Sequence, residues 1–323
     1  VTQILPFLRR LAYSAILVLA VVILNFLLIH IAPGDPVDTI AGAAGGMTES
    51  LRAALREQYG LDRPVAVQLW IYVERVLSGN LGQSYFLNLP VSQLILERLP
   101  ATLLLVLTSV GWAFLAGVFL GTLASRKPHG VLSQSITVLS IVGYSAPVFW
   151  TGIMLVILLA SAVPVFPVSD MHGDVAASGV TAAVDVAYHL VLPSLTLGIV
   201  YLAFYSRLAR ASMLDVLGAD YIRTARAKGA SEASVFYHHA LRNALLPVVT
   251  ILGLQFGNVL AGAILVETVF NWPGLGRLAF DSVLRRDYPT ILGVLLFSSV
   301  MVVVMNMVTD FCYRLIDPRI RAA

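Results

Sequence analysis

Six apolar runs divide the chain, each about the ~20 residues that cross a ~30 Å hydrocarbon core. They are Leu11–Ile31, Ala101–Ser125, Ser135–Ala162, Tyr188–Ser206, Leu246–Val266 and Thr290–Phe311. The third lies in an uncharged stretch from Val131 to Ser169, and Gly143 and Pro147 are expected to bend it, because an internal proline removes a hydrogen bond and crowds the preceding turn. The first run is longer than a signal-peptide core, and the small triplet Ala41-Gly42-Ala43 comes well after it, so it reads as a retained span. The expected class is an all-α integral membrane protein of about six transmembrane helices. Residues 1–32 hold the first of these. Residues 33–100 form an extracytoplasmic helical region, and 101–323 a core with the other five.

Between the first two runs the period changes from uniformly apolar to amphipathic. Met47 to Tyr59 has a Thr48 cap, an early Glu49, apolar Leu51 and Leu55, and a stop at Gly60. Val65 to Leu77 places Val65, Leu69, Tyr72, Val73, Val76 and Leu77 on one face, the pattern of a second helix. Gly79-Asn80-Leu81-Gly82 is a turn, and Val91 to Leu99 a third short helix. Helices lying on lipid and a docking platform fit this pattern alike. Asp170–Asp185 reads as an outer loop. From Glu267 to Tyr288, Trp272-Pro273-Gly274 predicts a turn and Leu275 to Leu284 a short helix.

A polar island, Arg207 to Arg242 within the loop 207–246, separates the fourth and fifth runs. It holds Arg207, Arg210, Arg223, Arg226, Lys228 and Arg242. The pattern predicts a helix from Tyr221 to Lys228, a break at Gly229 and a second helix capped by Ser231. Ala225, Gly229 and Ala230 are expected to offer a small, close-approach face. With the N-terminus inside, thirteen of the 21 basic residues and five of the 18 acidic ones fall on the inner side. The short inner loops are basic, so both termini are expected to be cytoplasmic.

Mean hydropathy is +0.85 and 12% of residues are charged, against about 25% in soluble domains. The lone Cys312 excludes an intrachain disulfide. Neither Lys127 nor Lys228 follows a glycine, so no P-loop exists and ATP use would belong to other chains. His238-His239 point about 100° apart on a helix and, like His30, read as structural, so no metal site is expected. No serine sits in a G-x-S-x-G setting, which leaves an intramembrane enzyme without a nucleophile. Asp310 and Arg314, four apart, read as an ion pair. No buried ion-coupling carboxylate stands out, which weakens the alternative of a stand-alone secondary transporter or channel. Gly117 with Gly121, and Gly253, Gly257 and Ala261, allow close helix approach. With Gln255, Asn258, Gly143 and Pro147, the last three are candidate pathway-lining residues. Glu267, Asn271 and Trp272 are candidates for an outer gate or partner contact.

At Arg223-Thr224-Ala225, three residues, then Gly229, closed by Leu245-Leu246-Pro247, the chain resembles the EAA loop of ABC importer permeases. The Glu of that motif is replaced by Arg223 and its first Ala by Thr224. Tyr59-Gly60-Leu61-Asp62-Arg63-Pro64, Gly79-Asn80-Leu81-Gly82, Glu97-Arg98-Leu99-Pro100-Ala101-Thr102, Glu267 through Gly276, and Asp317-Pro318-Arg319-Ile320-Arg321 carry a resemblance to the B-type subunit of dipeptide/oligopeptide importers. The resemblance implies a multi-pass subunit in a bacterial plasma membrane, with no cofactor of its own. It implies a second permease subunit, two ATPase domains that bind ATP and Mg, an extracytoplasmic solute-binding protein and no nucleic acid. Peptides are the implied cargo, with haem, nickel or glutathione as related ones. Tyr221, Arg223, Thr224, Ala225, Arg226, Lys228, Gly229 and Ala230 would couple to the ATPase.

Overall fold

The computed structural model describes residues 4–31, 62–173 and 178–316. The helix expected over 47–59, the 42–46 glycines and the 317–321 motif lie outside them, as do the side chains of His30, Asp310, Cys312 and Arg314. All described regular structure is helical. In order it comprises α1 (Ile4–Ile31), α2 (Val65–Leu77), α3 (Val91–Ser125), α4 (Val131–Ser145), α5 (Val148–Val156) continued by a π-turn (Ile157–Ala162), α6 (Val180–Leu217) and α7 (Asp220–Ala227). Then follow α8 (Glu232–Ser234) continued by a π-turn (Val235–Leu241), α9 (Arg242–Leu254), α10 (Phe256–Val269), α11 (Leu275–Leu284) and α12 (Tyr288–Ile316).

Among the described residues, three helices are long and apolar enough to cross a membrane: α3, α6 and α12 over Tyr288–Thr309. A fourth crossing exists if α4 and α5, bent by 103°, form one span. The bend sits where Pro147 predicted it. Ala146, forced out of the helical region by the following proline, has φ −74° and ψ 130°. In α1 and α10 the apolar stretches are shorter, Ala12–Leu28 and Val259–Val269.

Three expected boundaries are corrected. Val91–Leu99 is no separate helix but the first turns of α3, because Pro100 sits inside that 35-residue helix. A proline there removes one N–H, and strongly helical apolar flanks carry the helix across it. The fourth run is the middle of α6, which is 38 residues long. Arg207 and Arg210 therefore ride on a helix rather than in a loop. The fifth run is divided at Gln255, between α9 and α10.

The chain forms two compact units. The first comprises 1–100 and 277–304. Here Leu69, Tyr72, Val73 and Val76 of the expected α2 face are half-buried, with Tyr72 against Phe26 of α1 at a ring distance of 6.0 Å, while Val65 and Leu77 at the helix ends are exposed. Burial raises the Tyr72 phenol, while the Asn25 side chain pulls it the other way. Asn25 also donates to the Leu292 carbonyl at 3.3 Å. Asp287, buried at the start of α12, accepts from Ser84 Oγ, from the Tyr85 N–H at 3.1 Å and from Thr290 Oγ1 at 2.8 Å. The loop 82–90 is thereby clamped to the α11–α12 junction.

The second unit comprises 101–276 and 305–323. Its centre is α6, against which α3 and α4 pack. Ser140 and Ser206 share a 2.7 Å hydrogen bond, and Arg207 lies 4.7 Å from the Tyr144 ring. Gly121 marks the closest approach of α3 to α6: a Cβ there would meet the Ser206 carbonyl oxygen at 2.3 Å and the Arg210 nitrogen at 2.9 Å. Backbone cannot yield as a flexible side chain does. Gly121→Val is therefore expected to cost about 3 kcal/mol, the upper end for overpacking, and to lower the yield and melting temperature of the purified protein. Wild-type melting would refute this crossing.

Candidate functional site

The island folds as a compact elbow. One face of α7 is pinned by Ile222, which is 0% exposed and packs with Met213, Val235, Ala240 and Ala244. An eight-residue helix has little stability of its own, so this cluster holds it. The helix ends by a Schellman motif. Gly229 has φ +81°. Its N–H donates to the Arg226 carbonyl at 2.9 Å, and the Ala230 N–H to the Ala225 carbonyl at 3.2 Å. Glycine suits this position because a Cβ is disfavoured at such φ. Ser231 then caps α8, its Oγ accepting from the Ser234 N–H at 3.3 Å.

Polar contacts fix the angle of the elbow. Arg226 meets Glu232 through two bonds, 2.9 Å and 3.3 Å. An exposed pair is worth at most ~1 kcal/mol, so it orients more than it stabilises. Asn243 of α9 donates to the Tyr221 hydroxyl at 3.0 Å. Arg126, at the end of α3, reaches the Tyr237 hydroxyl at 2.5 Å and lies 5.2 Å from the Phe236 ring. Arg210 donates to Ser133 Oγ at 3.0 Å. The reading of the sequence missed Arg126 as a strut, since nothing local links it to residues 111 positions later.

The surface left over is the candidate coupling face. Tyr221, Arg223, Thr224, Arg226, Lys228 and Gly229 are exposed, and open space surrounds the position of a Gly229 Cβ. Arg223 pairs with Asp220 at 3.5 Å. Ala225 and Ala230 differ from expectation: both are half-buried against the elbow's own cluster. Their small size serves the internal packing of α7, and the outward face belongs to their polar neighbours.

The remaining candidates separate. Gly143 seats α4 on Ile199 of α6, 3.3 Å from its Cβ position. Gly253 faces Thr309 so closely that its Cβ position lies 1.9 Å from Cγ2. Both are positions of close helix packing. Pro147 and Ala261 are exposed, Gln255 is half-buried at the α9–α10 junction, and the surroundings of Gly257 and Asn258 lie outside what the structure describes.

Glu267 and Trp272, expected as outer contacts, are 0% exposed. Thr102 Oγ1 donates to Glu267 Oε1 at 2.7 Å and accepts from the Leu275 N–H at 2.8 Å. The Trp272 indole donates to the Ala101 carbonyl at 2.9 Å. The Glu267 carboxylate lies against the first turn of α11: a Gly274 Cβ would fall 2.3 Å from Oε1, and a Gly276 Cβ 3.0 Å from Oε2. A carboxylate at a helix N-terminus is electrostatically favoured. These residues tie α3, α10 and the start of α11 together. Asn271, at φ +55°, donates to Asp170 Oδ1. Thr102 was not singled out from the sequence, because its partner is 165 positions away.

Long apolar helices and an exposed basic elbow define a class first: an α-helical membrane protein. The chain belongs to the family of binding-protein-dependent transport system inner membrane components, which matches residues 113–322, with the family's N-terminal region matching 4–106. It is 42% identical to the probable peptide ABC transporter permease protein y4tP of Sinorhizobium fredii, over 97% of this chain and 98% of that one. It is 39% identical to the dipeptide transport system permease protein DppB of Escherichia coli K12, with the same coverage. Among solved structures, the MetNI methionine ABC transporter in its inward-facing conformations matches with a TM-score of 0.54 at 17% identity. That match covers 70% of this chain and 97% of that one, and it shows the likeness of fold.

Proposed function

We propose that the chain is the permease subunit of an ATP-driven importer of dipeptides, oligopeptides or a related small solute such as glutathione, haem or nickel. It forms half of the pathway beside a second permease subunit. Two ATPase domains hydrolyse ATP, and an extracytoplasmic solute-binding protein delivers the cargo. Six spans with both termini in the cytoplasm, divided at residues 32 and 100, agree with the placement of basic residues. The elbow around Gly229 docks on the ATPase and passes its displacement to α6 and α9 as a rigid body. The observation that carries this reading is an exposed face, Arg223 to Gly229, on a helix pinned from behind by Ile222.

Reconstitution with the partner subunits tests it. Gly229→Ala and Gly229→Trp share the cost of a positive φ, about 1 kcal/mol, but only Trp fills the open space outside. Trp is expected to cut ATP-driven uptake at least tenfold while insertion persists, and Ala to keep at least half. Equal uptake from both variants would remove the elbow from the coupling path.

A further inference from the structure

In the first unit, a cavity of about 230 Å³ opens between the loop 82–90, the start of α3 and α11. Its walls carry three guanidinium groups, Arg98, Arg277 and Arg285. Two are held in place: Arg285 lies 3.8 Å from the Phe86 ring, and Arg277 Nε is 3.7 Å from Asp281. Arg98 is half-buried, and no anion or acceptor among the described residues meets it. The other carboxylate of the lining, Asp287, is already engaged by Ser84, Tyr85 and Thr290. Ser282, only 4% exposed, lines the same cavity and its hydroxyl makes no hydrogen bond among the described residues. That hydroxyl opens onto the cavity and can donate to a group that enters it.

The site therefore offers an unpaired cation, a free hydroxyl and two fixed guanidinium groups, and both carboxylates of its lining, Asp281 and Asp287, already have partners. Guanidinium groups present paired donors that match a carboxylate. The rim decides where that carboxylate comes from. Two apolar residues of the lining are exposed, Phe86 at 53% and Leu87 at 42%. Exposed apolar side chains beside a charged hole are the anatomy of a protein-protein anchor, where they help exclude water from a central polar contact. A small free solute has no use for it.

We propose that this cavity seats an Asp or Glu side chain on the surface of the soluble solute-binding partner. The inference rests on the proposed function, whose topology places both contributing connections on the outer side. The anchor fixes where the partner lands, and Arg98 is its principal charge.

The test uses the full complex in lipid nanodiscs, with docking of the cognate solute-binding protein measured by surface plasmon resonance. Arg98→Ala is expected to raise the docking Kd about tenfold or more. Ser282→Ala removes a hydroxyl that holds nothing inside the chain. It should leave the melting temperature of the complex unchanged and raise Kd several-fold. Arg98→Glu should abolish docking, and one Asp→Lys or Glu→Lys change on the partner should restore it. Unchanged Kd for both alanine variants in assembled complexes overturns the proposal. So does unchanged docking with a raised KM for free peptide, lost when the peptide's C-terminus is amidated, which would assign the cavity to substrate. A wild-type complex that docks no soluble protein refutes the proposed function itself, and this anchor with it.

Discussion

Replacing Glu267 by Ala is expected to destabilise the purified protein by about 3 kcal/mol or more, the scale on which a buried charge-assisted bond and a core cavity are lost together. Removing the carboxylate leaves Thr102 without its acceptor and takes the anion from the first turn of α11. Glu267→Gln keeps the shape and one acceptor oxygen, so about half that cost is expected. Gly276→Ala attacks the same tie from the other side, because its Cβ would lie 2.5 Å from the Ile264 Cα. Thermal unfolding in detergent, followed by fluorescence of the buried Trp272, measures all three. An alanine variant at position 267 that melts with the wild type would refute the tie.

This tie also shows where reading the sequence stops. Local chemistry was legible: α2 and α11 begin and end where period and turn residues place them, and Gly229 and Ser231 mark the elbow's break and cap. Each depends on residues within a turn of one another. Glu267 looked like an outer contact because a charge at the end of an apolar run ordinarily meets water. Its burial depends on Thr102 and on an approach that only Gly274 and Gly276 permit, and no periodicity encodes that meeting. The basic residues of α6 misled in the same way. Arg207 and Arg210 resemble a loop by polarity, yet one stacks on Tyr144 and the other bonds to Ser133, so their heads are accommodated beside a continuing helix.

The family was legible for a different reason. Among the described residues, Gly79-Asn80-Leu81-Gly82 and the Asn271 to Gly274 part of another motif sit at turns, where backbone geometry restricts the residue type, while Glu97 through Thr102 lies within α3. The elbow is the clearest case. Arg223 and Thr224 depart from the usual motif at exposed positions, where they meet only Asp220 one turn back, while Gly229 keeps the conformation that closes α7. Ala225 reads as a docking residue from the motif alone, but the fold gives it work on the inner face.

Ile222→Asp is expected to abolish ATP-driven uptake in reconstituted vesicles while the chain still inserts. Ile222 is fully buried among Met213, Val235, Ala240 and Ala244, and the described lining offers no cation to a carboxylate there. Burying an unpaired charge costs several kcal/mol, more than one apolar contact returns to an eight-residue helix. The helix therefore leaves its seat and α7 loses its fixed angle to α6 and α9. Ile222→Val, which costs about 1 kcal/mol, should keep most of the uptake. Protease cleavage at Arg223 and Arg226 separates detachment from misfolding. It should accelerate in the Asp variant at least tenfold, while cleavage at other basic sites is unchanged. If transport by the Asp variant stays within twofold of wild type, the pinned elbow transmits nothing.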